Sequence, residues 1–274
     1  MTDVQEAPHK VTHYPILKPN AGSGHQVVLE PSPRRVRVVF NGETIAQSRK
    51  AMLMHESNHI PLYYFPVEDV RMDLLEKTDH SSHCPFKGDA SYWSIKVGDR
   101  IAENAVWGYE DPIDDVPDLN GMVAFYWNKV DHWYEEDQEL FIHARDPYKR
   151  IDAIPSTSRV QVKLGGEIVA DSARATFLFE TNLPTRYYIP KEDVRTDLLT
   201  ESDLKTGCPY KGTAKYHSVN VGGKTFENIV WYYPDPIPEL PKVKDLLCFY
   251  NEKVDAIFVD GEETVKQKSP WSED

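Results

Sequence analysis

Glu68-Asp69-Val70-Arg71-Met72-Asp73-Leu74-Leu75 comes back 124 positions later (192 less 68) as Glu192-Asp193-Val194-Arg195-Thr196-Asp197-Leu198-Leu199. The same shift carries Tyr63-Tyr64-Phe65-Pro66 onto Tyr187-Tyr188-Ile189-Pro190. It also carries Cys84-Pro85-Phe86-Lys87-Gly88 onto Cys208-Pro209-Tyr210-Lys211-Gly212, and Glu103-Asn104-Ala105-Val106-Trp107 onto Glu227-Asn228-Ile229-Val230-Trp231. A gapless shift of this length marks a duplicated domain, because solenoid repeats are several times shorter. Each copy is therefore a control for the other. Residues kept in both answer first to the fold, and residues kept in one are candidates for a site.

Outward from that stretch the pattern is that of short strands. Arg35-Val36-Arg37-Val38-Val39-Phe40 alternates charged and apolar side chains, the period of a half-buried strand, and Asn41-Gly42 then supplies a hairpin turn that needs positive φ at both centres. Its counterpart turns at Gly165-Gly166. A second hairpin runs from Tyr92 to Val97, turns at Gly98-Asp99 and returns through Ala105-Val106-Trp107, with its counterpart turning at Gly222-Gly223. Between the hairpins, Pro66 and Glu68-Asp69 precede Val70 and Leu74 at helical spacing, which predicts one short helix per copy. Proline-rich stretches from Pro112 to Pro117 and Pro234 to Pro241 read as loops. The layout expected is an extended lead-in over 1–30, a first domain over 31–140, a linker over 141–158 with no equivalent before the first copy, and a second domain over 159–274.

The 274 residues carry 44 acidic and 31 basic side chains, a formal net charge of −13. Such a surface repels phosphate backbones and anionic lipid, so neither nucleic acid nor membrane is an expected partner. Of the three cysteines, Cys84 and Cys208 are repeat equivalents in separate domains, and no CxxC pair exists to make a zinc ribbon. The opening residues lack a charged-then-apolar signal, and no apolar run reaches spanning length. A cytoplasmic protein in a reducing compartment is expected, as a monomer whose two domains pair in the manner of a dimer.

With Tyr-Tyr-Phe-Pro-x-Glu-Asp-Val and Cys-Pro-x-Lys-Gly-x-Ala-x-Tyr in hand, the chain resembles a tandem member of the DUF427 family, over nearly everything from about residue 34 to 260. The resemblance implies a mainly β fold of two tandem β-tent-like domains, each of short antiparallel strands in two sheets. Some relatives of that fold hold zinc through two CxxC pairs, which this chain lacks. One label of the family implies nucleotidyl transfer, but no Walker loop and no GxGxxG after a strand is present to cradle phosphates. GxSxG and HExxH are missing too.

The chemistry-bearing residues concentrate in the first copy. Thr78 to Asp89 holds His80, His83, Cys84 and Lys87, whereas the second copy keeps the cysteine and lysine but has Leu204 and Gly207 in place of the imidazoles. His55 and His59 face Phe179 and Leu183 in the same way. Four histidine losses around one motif point to the first copy as the working one, with His80 or His83 as proton carrier, Glu56 as partner carboxylate, and Lys87 and Tyr92 as polarising groups. Cys84 is a nucleophile candidate beside imidazole and ammonium, although a cysteine kept in both copies is more simply a small buried hydrophobe. A metal held by His55, His59, His80, His83 and Cys84 lacks the spacing of a known motif, so neither metal nor cofactor is expected.

Substrate contacts are expected from Asn58 and Tyr64, an amide and a phenol on an aromatic-lined strand, and from Trp93 and Trp127, which the second copy replaces with His217 and Asn251. An aromatic wall of this kind suits a planar or cationic group. In the linker, Arg145, Tyr148 and Arg150 are placed to hold an anionic end near the cleft between domains. The expectation is an enzyme acting on a small polar, anionic metabolite by acid–base chemistry, as a hydrolase, isomerase or lyase. The alternatives are a binding or sensor module without turnover, and nucleotide handling.

Overall fold

Val36, Val38 and Phe40 are buried while Arg37 and Val39 between them are half-exposed, so the alternation in the sequence becomes a strand with one face inward. The computed structural model describes residues 24–57, 59–114 and 116–266. The first unit, Met1–Ala144, contains β1 (Val27–Pro31), β2 (Val36–Phe40), β3 (Glu43–Ser48), β4 (Met52–Glu56), β5 (Leu62–Pro66), β6 (Leu75–Cys84), β7 (Gly88–Val97), β8 (Arg100–Gly108), β9 (Met122–Phe125), β10 (His132–Glu135) and β11 (Gln138–Leu140). The second unit, Arg145–Asp274, repeats them as β12 (Ile151–Pro155), β13 (Val160–Leu164), β14 (Glu167–Ser172), β15 (Thr176–Glu180), β16 (Arg186–Ile189), β17 (Leu199–Cys208), β18 (Gly212–Val221), β19 (Lys224–Tyr232), β20 (Leu247–Phe249), β21 (Ala256–Val259) and β22 (Glu262–Glu263).

Each unit has a seven-stranded and a four-stranded antiparallel sheet. In the first the orders are β1-β4-β5-β9-β8-β7-β6 and β11-β10-β2-β3, and the second unit repeats both with its own strands. The mainly β fold read from the repeat is the fold observed. The Asn41-Gly42 hairpin has φ of 49° and 79°, the left-handed pair that its turn requires. Strand β12 lies inside the segment 141–158 and occupies the place of β1, so that segment does have a counterpart before the first copy.

The expected short helix is instead two single 3₁₀ turns, Val67–Asp69 and Met72–Leu74. Val70 between them is extended because it bridges to Ala46 and buries its side chain, and the Arg71 amide donates to the Ile45 carbonyl at 2.8 Å. One turn of helix costs more to nucleate than so short a segment returns, and the tertiary bridge wins.

Alternation gives the large sheet two apolar faces. Leu53, Tyr63, Trp93 and Val123 join Val36, Val38 and Phe40 of the small sheet in one cluster. Their neighbours Met54, Tyr64, Tyr92 and Ala124 point the other way, where Tyr109 and Leu119 of the β8–β9 connection cover them. This second face is the inner face of the sheet. In the second unit His217 takes the place of Trp93 and is 8% exposed, stacked on Tyr232 with centroids 5.1 Å apart. Its Nδ1 is buried with no hydrogen-bond partner among the described residues.

Burial lowers the His217 pKa below its ordinary value, and the charge of Lys191 adds to that, against Glu201 and a hydrogen bond with the Thr200 backbone. A depressed imidazole contributes stability that is complete above the unfolded pKa and lost as pH falls through the folded one. Unfolding of the second unit should therefore ease as pH falls from neutral through the ordinary imidazole range, and His217→Phe should remove that dependence. Denaturant midpoints across this range check it, and a wild-type midpoint that does not move contradicts it.

Candidate functional site

The inner face of the first unit ends in a charged cluster built from three separate stretches. Glu56 closes β4, Lys87 sits in the β6–β7 turn, and His25 lies just before β1. Lys87 Nζ donates to Glu56 Oε2, and His25 Nε2 lies 3.0 Å from Glu56 Oε1. The three side chains are only 8%, 9% and 13% exposed for Lys87, Glu56 and His25. β4 and β7 stand four places apart in the sheet, which is on the order of 19 Å in a flat sheet. The Glu56–Lys87 contact therefore requires the sheet to curl around its inner face. Gly88 beside the lysine has φ of +100°, and a Cβ there would crowd the Asp111 carbonyl at 3.3 Å, so this turn needs its glycine.

Aromatic rings surround the pair. His25 stacks on Phe86 with centroids 3.7 Å apart and planes within 10°, and Lys87 Nζ is 6.0 Å from the Tyr109 ring centroid. Tyr64, Tyr92, Tyr109 and Cys84 share the face. Burial on its own raises the Glu56 carboxyl, but the hydrogen bonds from Lys87 and His25 and the charges of Lys87 and His59 outweigh it, and the net direction is down. Burial pushes the phenols of Tyr64 and Tyr109 well above their ordinary value. Glu56 is thus an ionised carboxylate, and the two tyrosines are neutral donors.

The second unit rebuilds the cluster almost unchanged. Lys211 Nζ donates to Glu180 Oε2 at 2.5 Å, and Cys208, Tyr188, Tyr216 and Tyr233 stand at the positions of Cys84, Tyr64, Tyr92 and Tyr109. One charged partner differs. At the place of His25 is Lys149, whose Nζ lies 3.1 Å from Glu180 Oε1 and 5.5 Å from the Tyr210 ring, the residue in place of Phe86.

The structure thus unites four of the expected residues with Glu56: Lys87, Cys84, Tyr64 and Tyr92. It separates the others. His80 lies in an irregular stretch of the edge strand β6, exposed, with its ring 4.4 Å from that of Tyr92. His83 is exposed on the same strand and paired with Asp89 at 2.7 Å. Trp93 and Trp127 belong to the other face of the sheet, where Trp127 stacks on Trp133 at 4.3 Å, because successive strand residues alternate sides and Tyr92 takes the inner one. Arg145, Tyr148 and Arg150 belong to the second unit. Arg145 pairs with Glu239 at 3.1 Å, Arg150 with Asp152 at 2.7 Å, and Tyr148 is 58% exposed. Asn58 lies outside the described residues.

His55 pairs with Glu30 at 3.1 Å, and among the described residues no three His, Cys, Asp or Glu side chains converge to hold a metal. Two open hollows of the surface, one beside Ser48 and Asp69 and one beside Arg195 and Lys224, are lined by residues other than this cluster. Among the described residues no helix is long and apolar enough to cross a membrane.

His25 and Tyr109 are the members that sequence reasoning missed. The 124-residue shift, carried further in both directions, pairs Tyr109 with Tyr233 and sets His25 against Lys149. Residues 28–136 and 152–260 each match the model of one family, described as a domain of unknown function, DUF427. No curated protein matches the chain.

Proposed function

We propose, from the premise that this chain belongs to the DUF427 family as two tandem copies, that its first copy is an acid–base site for a small polar metabolite. One observation carries the reading: two clusters alike in carboxylate, lysine, cysteine and three tyrosines differ in the second nitrogen partner of the carboxylate, an imidazole in the first copy and an ammonium in the second. An imidazole exchanges its proton in the physiological range, and an ammonium is a fixed charge there. Glu56, kept ionised by Lys87, orients the His25 ring and stabilises the imidazolium formed when that ring takes a proton. Tyr64 and Tyr109 supply neutral donors to developing negative charge. A substrate reaches the cluster by displacing the His25–Phe86 stack, since the pair itself is closed.

The role expected of His80 or His83 passes to His25, because neither of those exposed edge-strand rings is bonded to Glu56: His80 lies against Tyr92, and His83 pairs with Asp89. The anionic end expected of the substrate loses its support, because Arg145 and Arg150 have carboxylate partners within the second unit. Incubation with a metabolite mixture, followed by mass analysis of what is consumed, tests the reading. His25→Phe keeps a ring against Phe86 and cannot carry a proton, so turnover should fall by roughly 10²-fold or more with little change in melting temperature. Turnover that survives the substitution contradicts the assignment. Near-complete burial of Glu56 and Lys87 favours a second reading, a binding module, which would give ligand-induced stabilisation without consumption.

A further inference from the structure

Arg186 has no counterpart in the first copy, where Leu62 stands at its position. The arginine is 6% exposed, and its Nη1 and Nη2 donate to the two carboxylate oxygens of Glu252 at 2.6 Å each. Its guanidinium carbon lies 5.5 Å from the centroid of Trp231 and 6.0 Å from that of Tyr250, two rings packed 4.5 Å apart at 50°. This is a cation held on an aromatic pair and neutralised by a carboxylate.

The first unit has the same pair without the guanidinium. Trp107 and Tyr126 pack at 4.5 Å and 41°. Burial, with the nearby Tyr92 phenol adding to it, pushes the Tyr126 phenol up to about 12, and burial raises that of Tyr250 beside Tyr216 as well. Lys129 Nζ lies 4.9 Å from the Tyr126 centroid and Lys253 Nζ 5.5 Å from that of Tyr250, so an ammonium is common to both copies. The guanidinium and its carboxylate are missing. Leu62 and Asn128 replace the arginine and the glutamate, and Tyr126 is 36% exposed.

We propose that the Trp107–Tyr126 pair of the first unit is a binding site for the cationic group of a small ligand, a guanidinium or alkylammonium, and that the second unit fills the equivalent place with its own Arg186. Ring quadrupoles attract such a group, and the positive charge that Arg186 supplies in the second unit is in the first brought by the ligand. Asn128 offers a polar side chain where Glu252 stands. The net charge of −13 raises the local concentration of cations. The aromatic wall expected from Trp93 and Trp127 is thus supplied by different rings, on the other face of the sheet. The inference does not rest on the acid–base reading, since neither His25 nor Glu56 takes part.

The test follows the indole N–H resonances of the full chain during titration with methylguanidinium, with neutral N-methylurea as control. The Trp107 signal should shift saturably with the cation and not with the urea. Leu62→Arg with Asn128→Glu installs the second unit's own pair and should weaken that response at least about tenfold. Arg186→Leu with Glu252→Asn should create a new saturable response at Trp231. His25→Phe should leave the Trp107 response unchanged, which separates this site from the acid–base cluster. A Trp107 signal that does not respond in the wild-type chain, where no variant has to fold, overturns the proposal. So does a full response in the Leu62→Arg, Asn128→Glu chain.

Discussion

Lys87→Ala lowers the stability of the first unit by about 3–5 kcal/mol, while Lys87→Met combined with Glu56→Leu restores most of it. The single substitution strands an ionised carboxylate that is 9% exposed, leaving His25 and His59 to offset its desolvation. It also releases the contact that draws the β6–β7 turn onto the end of β4. The double substitution removes both charges and refills the space with apolar atoms, which is often neutral or better for a buried pair. Hydrogen exchange of the β4 and β7 amides reads the loss within the first unit. The sign with pH is fixed by the depressed Glu56 pKa. A depressed carboxyl contributes stability that is present above its unfolded pKa and lost as pH falls through the folded one. The gap between wild type and Lys87→Ala should therefore close in acid. A loss below about 1 kcal/mol, or a gap independent of pH, would contradict the burial of a charged pair.

Glu252→Ala should cost the second unit a similar amount, about 3–5 kcal/mol, and leave exchange in the first unit unchanged. Arg186 would keep its charge with no carboxylate on its guanidinium, buried against Trp231 and Tyr250. Cation–π attraction of about 1–2 kcal/mol does not replace a bidentate carboxylate. Arg186→Leu with Glu252→Asn, the residues the first unit uses at those positions, should be far milder. If the single substitution proves as mild as the double one, the pair is not behaving as a desolvated unit.

The duplication and its strands were legible because the shift is gapless and the turn residues are explicit: Asn41-Gly42 and Gly165-Gly166 demand hairpins wherever they fall. The helix was misread because Val70 and Leu74 fit its period, while the bridge from Val70 to Ala46 depends on a strand more than twenty residues upstream. At the site, Glu56 and Lys87 were both visible, yet their union depends on the curl of a seven-stranded sheet, and no local pattern encodes that. Ranking residues by what one copy alone keeps favoured His80 and His83. The structure brings together what both keep, Glu, Lys, Cys and three Tyr, with one partner that differs beside them, His25 or Lys149. Trp93 and Trp127 were separable in principle from the cluster, since Trp93 follows Tyr92 in a strand and must face the other way.

The most direct measurement of the proposed acid–base site compares Glu56→Gln with Glu180→Gln in the full chain, in the same metabolite mixture and mass analysis, where the wild-type chain is expected to consume a component. The two substitutions remove the same charge from two nearly identical clusters, and only Glu56 supports an imidazole. Turnover should be lost in Glu56→Gln and kept in Glu180→Gln. Equal loss in both, or full activity in Glu56→Gln, would contradict a working site confined to the first copy.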